Sequence, residues 1–320
     1  MPRLPNKAQQ TPLEQLTAMN EQAGKTRRRS SKPRDPTKKV EQFYRTQLRS
    51  IVRLVSQAVE QEVVPVVKAE KQAYQADSVY TRDAWADRII EVIRSLSSRF
   101  VQGEFEQQFD RLAQRTVSMA EAESTDAFVK SVQQAVGVDI RPMLDQEGMA
   151  EYVQAAQYQN AQLIKSVPQE HLSRIENVVM GGVRNGDAPG KIARAIRDAT
   201  DVTQNQAKRI ARDQTAKLTS EITERRQTSS GVRYYQSITA GDERVTGKPG
   251  GKYPNARISC YGIARQDVGY GPGVYRWDKG ASWGGQSGLH PGRHHINCLE
   301  RGTLVRTASG VNLPVETLAI

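Results

Sequence analysis

Apolar residues that return every three or four positions dominate residues 39–230, a period that allows little besides amphipathic helices. Val40, Phe43, Tyr44, Leu48, Ile51, Val55, Val59 and Val63 make one such stripe. Pro65 is expected to kink or end that helix, since a proline ring conflicts with the carbonyl four residues back and carries no N–H. A second stripe runs through Trp85, Ile89, Ile93, Leu96, Phe100, Phe105, Phe109 and Leu112. A short third helix is expected from Thr125 or Asp126 to Val136, stopped by Gly137.

The same reading places a helix over 149–167, closed by Pro168, and another over 169–184, with Asn185-Gly186 as its C-terminal stop. Residues 191–199 read as a brief helix entered through Pro189. Thr203 and Gln206 read as a capping box for a last long helix over 204–226. His171 is expected on a helix surface. This body holds no glycine-rich phosphate loop, no paired carboxylates in an apolar setting and no metal-ligand spacing. It reads as a scaffold.

Composition sharpens that reading. The chain has 320 residues, about two domains' worth, of which 37% are hydrophobic. Its mean hydropathy is −0.64, which points to slim cores in an elongated helical body rather than to a compact enzyme. No apolar run approaches the ~18 residues of a membrane span. The first residues lack the apolar core of a signal peptide, so cytosolic synthesis and assembly are expected, with no membrane. Two cysteines, Cys260 and Cys298, do not make a disulfide framework.

The net charge of +11 bears on partners. Residues 1–38 carry nine Lys/Arg against three Asp/Glu. Lys25, Arg27, Arg28, Arg29, Lys32 and Arg34 form the densest cluster and are the expected DNA-binding residues of a disordered arm with salt-sensitive, sequence-independent affinity.

After Gly231 helical periodicity ends while glycine, proline and aromatic residues rise. Residues 231–297 read as a small, loop-rich α+β domain with a strand over 232–239, a turn at 241–244, a flexible loop over 246–254 and a short strand over 261–265. Cys260, His290, His294, His295 and Cys298 are residue types that zinc accepts. No C-x2-C pair anchors them, however, and two of the histidines are adjacent. A nucleophilic pair of His295 and Cys298 is the alternative. The preferred reading is that these loops position a chain segment, with no metal and no cofactor. Residues 298–320 alternate like one β-hairpin, with Thr303–Thr307 and Val311–Leu318 as strands. A lone hairpin is marginal in water, so it needs either the preceding domain or another polypeptide.

An ordered series of segments carries a resemblance: KRIARDQTAKLTSEITERRQTSSGVRYYQ, then GDERV, then YGIARQDVGYGPGVYRWD, then HPGRHHINC. It is similar to the phage minor head proteins of the head morphogenesis (Mu F-like) family over about residues 190–298. That resemblance implies a few copies inside the phage head near the portal, contacts with portal and capsid proteins and packaged DNA, and a role in assembly and in DNA packaging or ejection. The host cytoplasm is where assembly would occur.

The family's usual N-C-R-C is broken here, because Leu299 follows Cys298. The segment from Cys298 onward instead resembles the first block of an intein, a Hint-type splicing domain. That resemblance implies that Cys298 is the splice nucleophile, Asn297 the junction residue, and a complementary intein C-terminal fragment the partner. Without the Thr-x-x-His block and the terminal His-Asn, the loss in rate is on the order of 10⁴–10⁷. Apart from autocatalytic splicing after a partner fragment docks, no enzyme is expected. Two other readings stay open: a carrier for a Hint-released toxin, and an ADP-ribosyltransferase-like enzyme, although no Arg…Ser-Thr-Ser…Glu-x-Glu series is seen. The fold class expected is α+β, a mainly helical body with a small loop-rich domain and a terminal hairpin.

Overall fold

Pro65 does not end the first helix. Helix α1 (Thr37–Ala58) runs into a π-helical turn, Val59–Val63, and the helix resumes over 64–69. Across that turn the Val64 N–H reaches the Val59 carbonyl, five residues back. Lengthening the hydrogen-bonded loop by one residue eases the conflict between a proline ring and the preceding turn. The computed structural model describes residues 37–69, 82–102, 104–136, 139–144, 148–294, 298–306 and 312–314.

Other helices are also longer than their sequence signals. Helix α2 covers Arg82–Val101 and α3 covers Glu104–Val136, so the short third helix is only the end of α3. The buried face of α3 passes through Ala113, Thr116, Val117, Ala120 and Ser124. Those small or polar side chains give a weak apolar signal. After the four-residue α4 (Arg141–Leu144), helix α5 runs Met149–Arg184 straight through Pro168. A proline inside a helix costs about 3 kcal/mol. Burial of Ile164 and Val167 before it, and of Leu172 and Ile175 after it, offsets that cost.

Helix α5 stops where expected. Gly186 adopts φ 70°, its N–H reaches the Val183 carbonyl, and the Asp187 N–H reaches that of Gly182 at 2.8 Å. This double closure satisfies the last free carbonyls of the helix. Helix α6 then covers Pro189–Ser229 without interruption. Residues 191–229 hold no glycine or proline to break it. Thr203 is therefore no cap: its hydroxyl donates to the Ala199 carbonyl inside the helix.

Two compact units emerge. The first comprises residues 39–118 and 153–212. One of its clusters joins Val55, Val59 and Val63 to Ile89, Ile93, Leu96, Leu172, Ile175 and Val179. Another joins Tyr44, Leu48 and Val52 to Phe109, Ile164, Val167, Ala207 and Ala211. A polar seam accompanies them. His171, expected on the surface, is fully buried. Its Nε2 lies 2.9 Å from the Ser56 hydroxyl and its Nδ1 3.1 Å from Thr203 Oγ1. The Thr203 hydroxyl donates to the Ala199 carbonyl and accepts from Arg174, and the Ser56 hydroxyl donates to the Val52 carbonyl, so both ring nitrogens face hydroxyls already tied to backbone. Burial, helped by the Arg174 charge, pushes the imidazole down to about 4.

The second unit gathers residues 119–152 and 213–320. Strand β1 (Tyr234–Thr239) follows α6, then a one-turn helix α7 (Cys260–Ile263), where a returning strand was expected. Ser259 caps that turn by accepting from the Gly262 N–H, which draws the backbone into helix. Strands β2 (Val274–Arg276), β3 (Ala281–Trp283), β4 (Gln286–Leu289), β5 (Cys298–Arg306) and β6 (Asn312–Pro314) complete the described chain. One sheet has the order β2-β1-β5-β6, every pair antiparallel; β3 and β4 form a separate hairpin. The core here is aromatic: Tyr235, Tyr275 and Trp277 pack with Ile263, Ala281 and Leu289. The chain is thus mainly helical α+β, with long helices and small antiparallel strand pairs near its C-terminal end.

Candidate functional site: the anchored junction segment

Ala216, Ser220, Glu224 and Gln227 recur along α6 at helical spacing and form one stripe of the second unit. The loop that follows β4 seats on this stripe. Gly292, at φ +75°, comes so close that a Cβ there would lie 2.9 Å from the Ala216 carbonyl oxygen and 3.4 Å from the Ser220 Cβ. Only glycine serves both that backbone conformation and that approach. Next to it the Arg293 guanidinium pairs with the Glu224 carboxylate. One helical turn further, Gln227 accepts a 2.9 Å hydrogen bond from the buried indole N–H of Trp277.

The aromatic core completes the anchor. The His290 ring stacks on Trp277, with centroids 5.5 Å apart and planes at 15°, and lies 5.6 Å from the Tyr235 ring. The Tyr235 hydroxyl donates to the Leu289 carbonyl at 3.0 Å. Burial, with the Arg293 charge, lowers the pKa of His290 from its ordinary value, and Glu224 works weakly against this. The imidazole is therefore held neutral, as a stacking group. Nearby, the Tyr152 hydroxyl donates to Glu221 at 2.8 Å and the Arg225 guanidinium lies over the Tyr152 ring at 4.5 Å. Burial, the Glu221 charge and its hydrogen bond raise the Tyr152 pKa, so the phenol stays protonated.

Four residues past His294 the chain enters β5 at Cys298, whose backbone lies opposite Thr239 of β1. The chain is thus tied to α6 just before the expected splice junction and tied to β1 just after it. Asn297, His295, and the basic residues Lys25, Arg27, Arg28, Arg29, Lys32 and Arg34 lie outside the described residues. Cys260 is fully buried against Val245 and is disulfide-bonded, although two cysteines alone gave no such expectation. Among the described residues no group of three or more His, Cys, Asp or Glu side chains could hold a metal ion. No helix among them is long and apolar enough to cross a membrane.

Within this unit the arrangement positions a chain segment. Its ionisable groups are engaged with one another, and the shifts of His290 and Tyr152 both favour neutral forms. Sequence reasoning noticed His290 but not the stripe that receives its loop. The spacing of Ala216, Ser220, Glu224 and Gln227 was a usable signal, masked because none of the four is a large apolar residue.

An uncharacterized protein of Haemophilus influenzae is 27% identical over 222 residues, which cover 69% of this chain and 48% of that protein. The chain thus spans about half the length of the curated relative it matches. No protein-family model matches the chain. No solved structure matches it either.

Proposed function

We propose that this chain is a phage minor head protein that sits at the portal inside the head, aids capsid assembly and DNA packaging or ejection, and carries the N-terminal fragment of an intein from Cys298 onward. Its partners in this reading are the portal and capsid proteins, packaged DNA held without sequence preference, and a complementary intein C-terminal fragment.

One observation carries the reading. Three of the four segments behind the resemblance, scattered over about a hundred residues of sequence, meet in a single unit. Helix α6 supplies Glu224 and Gln227, β1 supplies Tyr235, the YGPGVYRWD segment supplies Tyr275 and Trp277, and the HPGR loop supplies His290 and Arg293. Segments that resemble a family one by one also behave as parts of one structural device. A likeness arising from shared composition alone would not require these contacts.

Co-expression with the portal and major capsid proteins of the same genome tests the head role. The chain is expected in purified proheads at a few copies and in a complex with isolated portal rings. Proheads that assemble without it, and portal rings that do not retain it, would remove the proposal. The intein role is tested separately by ligation with a matched intein remainder, as set out in the last prediction.

A further inference from the structure

Cys260 is fully buried against Val245. Its N–H donates to the Thr246 hydroxyl at 3.1 Å, and the N–H of Tyr261 donates to the Thr246 carbonyl at the same distance. Helix α7, which Cys260 opens, packs on β1. Ile263 lies with Tyr235 in the aromatic core, and a Cβ at Gly273 would meet the carbonyl oxygens of both Ser237 and Ala264, at 2.7 and 2.8 Å. Strand β1 also receives Cys298, whose backbone lies opposite Thr239 at the end of the β1–β5 ladder. One strand therefore has α7 packed on it and the first residue of β5 paired with it.

The Cys260 sulfur is in a disulfide, no free cysteine is found among the described residues, and the chain has one other cysteine. We propose that Cys298 is the partner and that the bond is a redox lock on the Cys298 thiol. Intact, it ties the first residue of β5 to α7 and withholds the sulfur from chemistry; reduced, it gives back a thiol. The pairing stands on the cysteine count alone, whereas the use of the released thiol rests on the intein reading.

Three arguments favour a lock over a permanent staple. A thiolate is the nucleophile in cysteine chemistry. A disulfide sulfur has no proton to lose, so attack by Cys298 on the Asn297 carbonyl carbon cannot begin while the bond stands. The head reading also places synthesis in a host cytoplasm, where disulfides are rare and those that form are mostly transient or redox-sensing. Finally, neither end needs the bond to stay in place. Thr246 and Val245 hold Cys260, and the pairing with Thr239 holds the backbone of Cys298.

Release takes a dithiol as reductant. One of its thiolates attacks a sulfur, a mixed disulfide forms as the Cys260–Cys298 bond breaks, and the second thiol closes on the first. The dithiol leaves as a cyclic disulfide. Two electrons pass to the protein, and two protons end on Cys260 and Cys298.

Peptide mapping of the full chain tests the pairing. Trypsin cleaving after Arg257, Arg265, Arg293 and Arg301 releases residues 258–265 and 294–301, with one cysteine in each. Protein oxidised with a disulfide reagent and then alkylated should give these two peptides as one cross-linked mass, which a phosphine splits. Two separately alkylated peptides, or cross-links between chains, overturn the pairing. Hydrogen exchange then separates lock from staple. Phosphine treatment should leave amide protection in α7 and β1 within about threefold, and should raise maleimide labelling of Cys298 at least a hundredfold. Protection lost throughout the sheet on reduction makes the bond a staple and overturns the lock. Both comparisons use the unaltered chain, so neither depends on a variant that folds.

A matched intein remainder tests the consequence, with a phosphine as reductant because it does not cleave a thioester as a thiol does. The oxidised chain should give no ligated product and the reduced chain should give one. Cys260→Ala, kept free of oxidant, should ligate at one rate with or without the phosphine. Ligation by the cross-linked chain at the rate of the reduced chain overturns the lock. A cross-link that forms and releases as described, with no ligation by the reduced chain or by Cys260→Ala, keeps the lock and removes the intein reading.

Discussion

Trp277 and Gln227 meet side chain to side chain at 2.9 Å, both buried, and fasten the loop-rich segment to helix α6. A buried donor that loses its only acceptor costs more than the bond contributes, because it has left water and gains nothing in return. Gln227→Leu should therefore destabilise this unit by about 1–3 kcal/mol, and Trp277→Phe by a similar amount through lost packing as well. The double variant should cost less than the sum, since the loss of the Trp277–Gln227 bond is then counted once. Urea unfolding of the four proteins measures this. Strict additivity would show that the two side chains do not interact.

Gly292 and Gly285 separate backbone strain from a clash. Both have positive φ, 75° and 78°. At Gly285, in the turn between β3 and β4, a Cβ would meet nothing within 4 Å, whereas at Gly292 it would meet the Ala216 carbonyl oxygen at 2.9 Å. Gly285→Ala should cost only the left-handed strain, about 1 kcal/mol. Gly292→Ala should cost clearly more and should weaken the seating of the His290–His294 loop. Thermal unfolding ranks them, and exchange rates around residues 290–294 report the loop. Equal costs would mean that the loop moves away from α6 at no penalty.

His171 sets a pH dependence whose sign can be worked out. Its pKa is about 4 in the folded chain and near 6.5 when unfolded. Between those values the unfolded chain binds the extra proton, so stability rises with pH across that window. The contribution is complete above pH 6.5 and is lost progressively as pH falls toward 4, a loss of about 3 kcal/mol. The lowered His290 adds a smaller slope of the same sign. His171→Gln should flatten most of the dependence and leave the part due to His290. Denaturant midpoints at several pH values between 4 and 7 decide it; an unaltered chain equally stable at both ends would contradict the buried, neutral imidazole.

The contrast between His171 and the helices around it shows what a sequence can carry. Val55, Ile89, Ile175 and their neighbours announced their burial through spacing, because burial of large apolar groups is what drives helices together. His171 gave no such sign. Its burial depends on Ser56 and Thr203, which are distant in sequence, and polar complementarity across long separations leaves no periodic trace. Pro168 and Thr203 misled for a related reason. Local rules placed a helix end at Pro168 and a helix start at Thr203, but packing on both sides carried each helix through. The strand over 234–239 and the turn at Gly186 were legible because local backbone chemistry decides both. In the candidate site the histidine loop was visible, while its receptor on α6 was not, since alanine, serine, glutamate and glutamine at helical spacing look like an ordinary solvated face.

The basic arm yields a prediction in salt. Removing residues 1–38 deletes Lys25, Arg27, Arg28, Arg29, Lys32 and Arg34. Each phosphate neutralised on duplex DNA contributes about −0.9 to the slope of log affinity against log salt. If all six engage phosphates, deletion should make that slope shallower by about 5 and weaken binding most at low salt. Titrations of one labelled duplex at several salt concentrations measure it, and a second duplex of different sequence should behave alike. An unchanged slope would place the DNA contacts elsewhere or nowhere.

Cys298 carries the last prediction. In an intein the first step is an acyl shift: the Cys298 sulfur attacks the Asn297 carbonyl carbon, a thioester forms, and the peptide nitrogen leaves as the amine of Cys298. That step needs a thiolate, and a free cysteine is only a few per cent ionised at neutral pH. It also needs acid and base groups that the intein remainder would supply, so the chain alone should be idle. Cys260 is disulfide-bonded and the chain has two cysteines, so the assay starts from fully reduced protein. With a matched remainder, a ligated product should form that joins residues 1–297 to the partner's tail. Dithiothreitol should divert the complex by cleaving after Asn297 through the thioester, and mass spectrometry would place the break. Cys298→Ala should abolish both products. Incorporation of that variant into proheads should remain unchanged, because the anchor on α6 ends before the junction. Absence of cleavage at the Asn297–Cys298 bond under reducing conditions, with a remainder shown to bind, would remove the nucleophile assignment. Stoichiometric zinc lost in Cys298→Ala would assign the thiol to a metal instead.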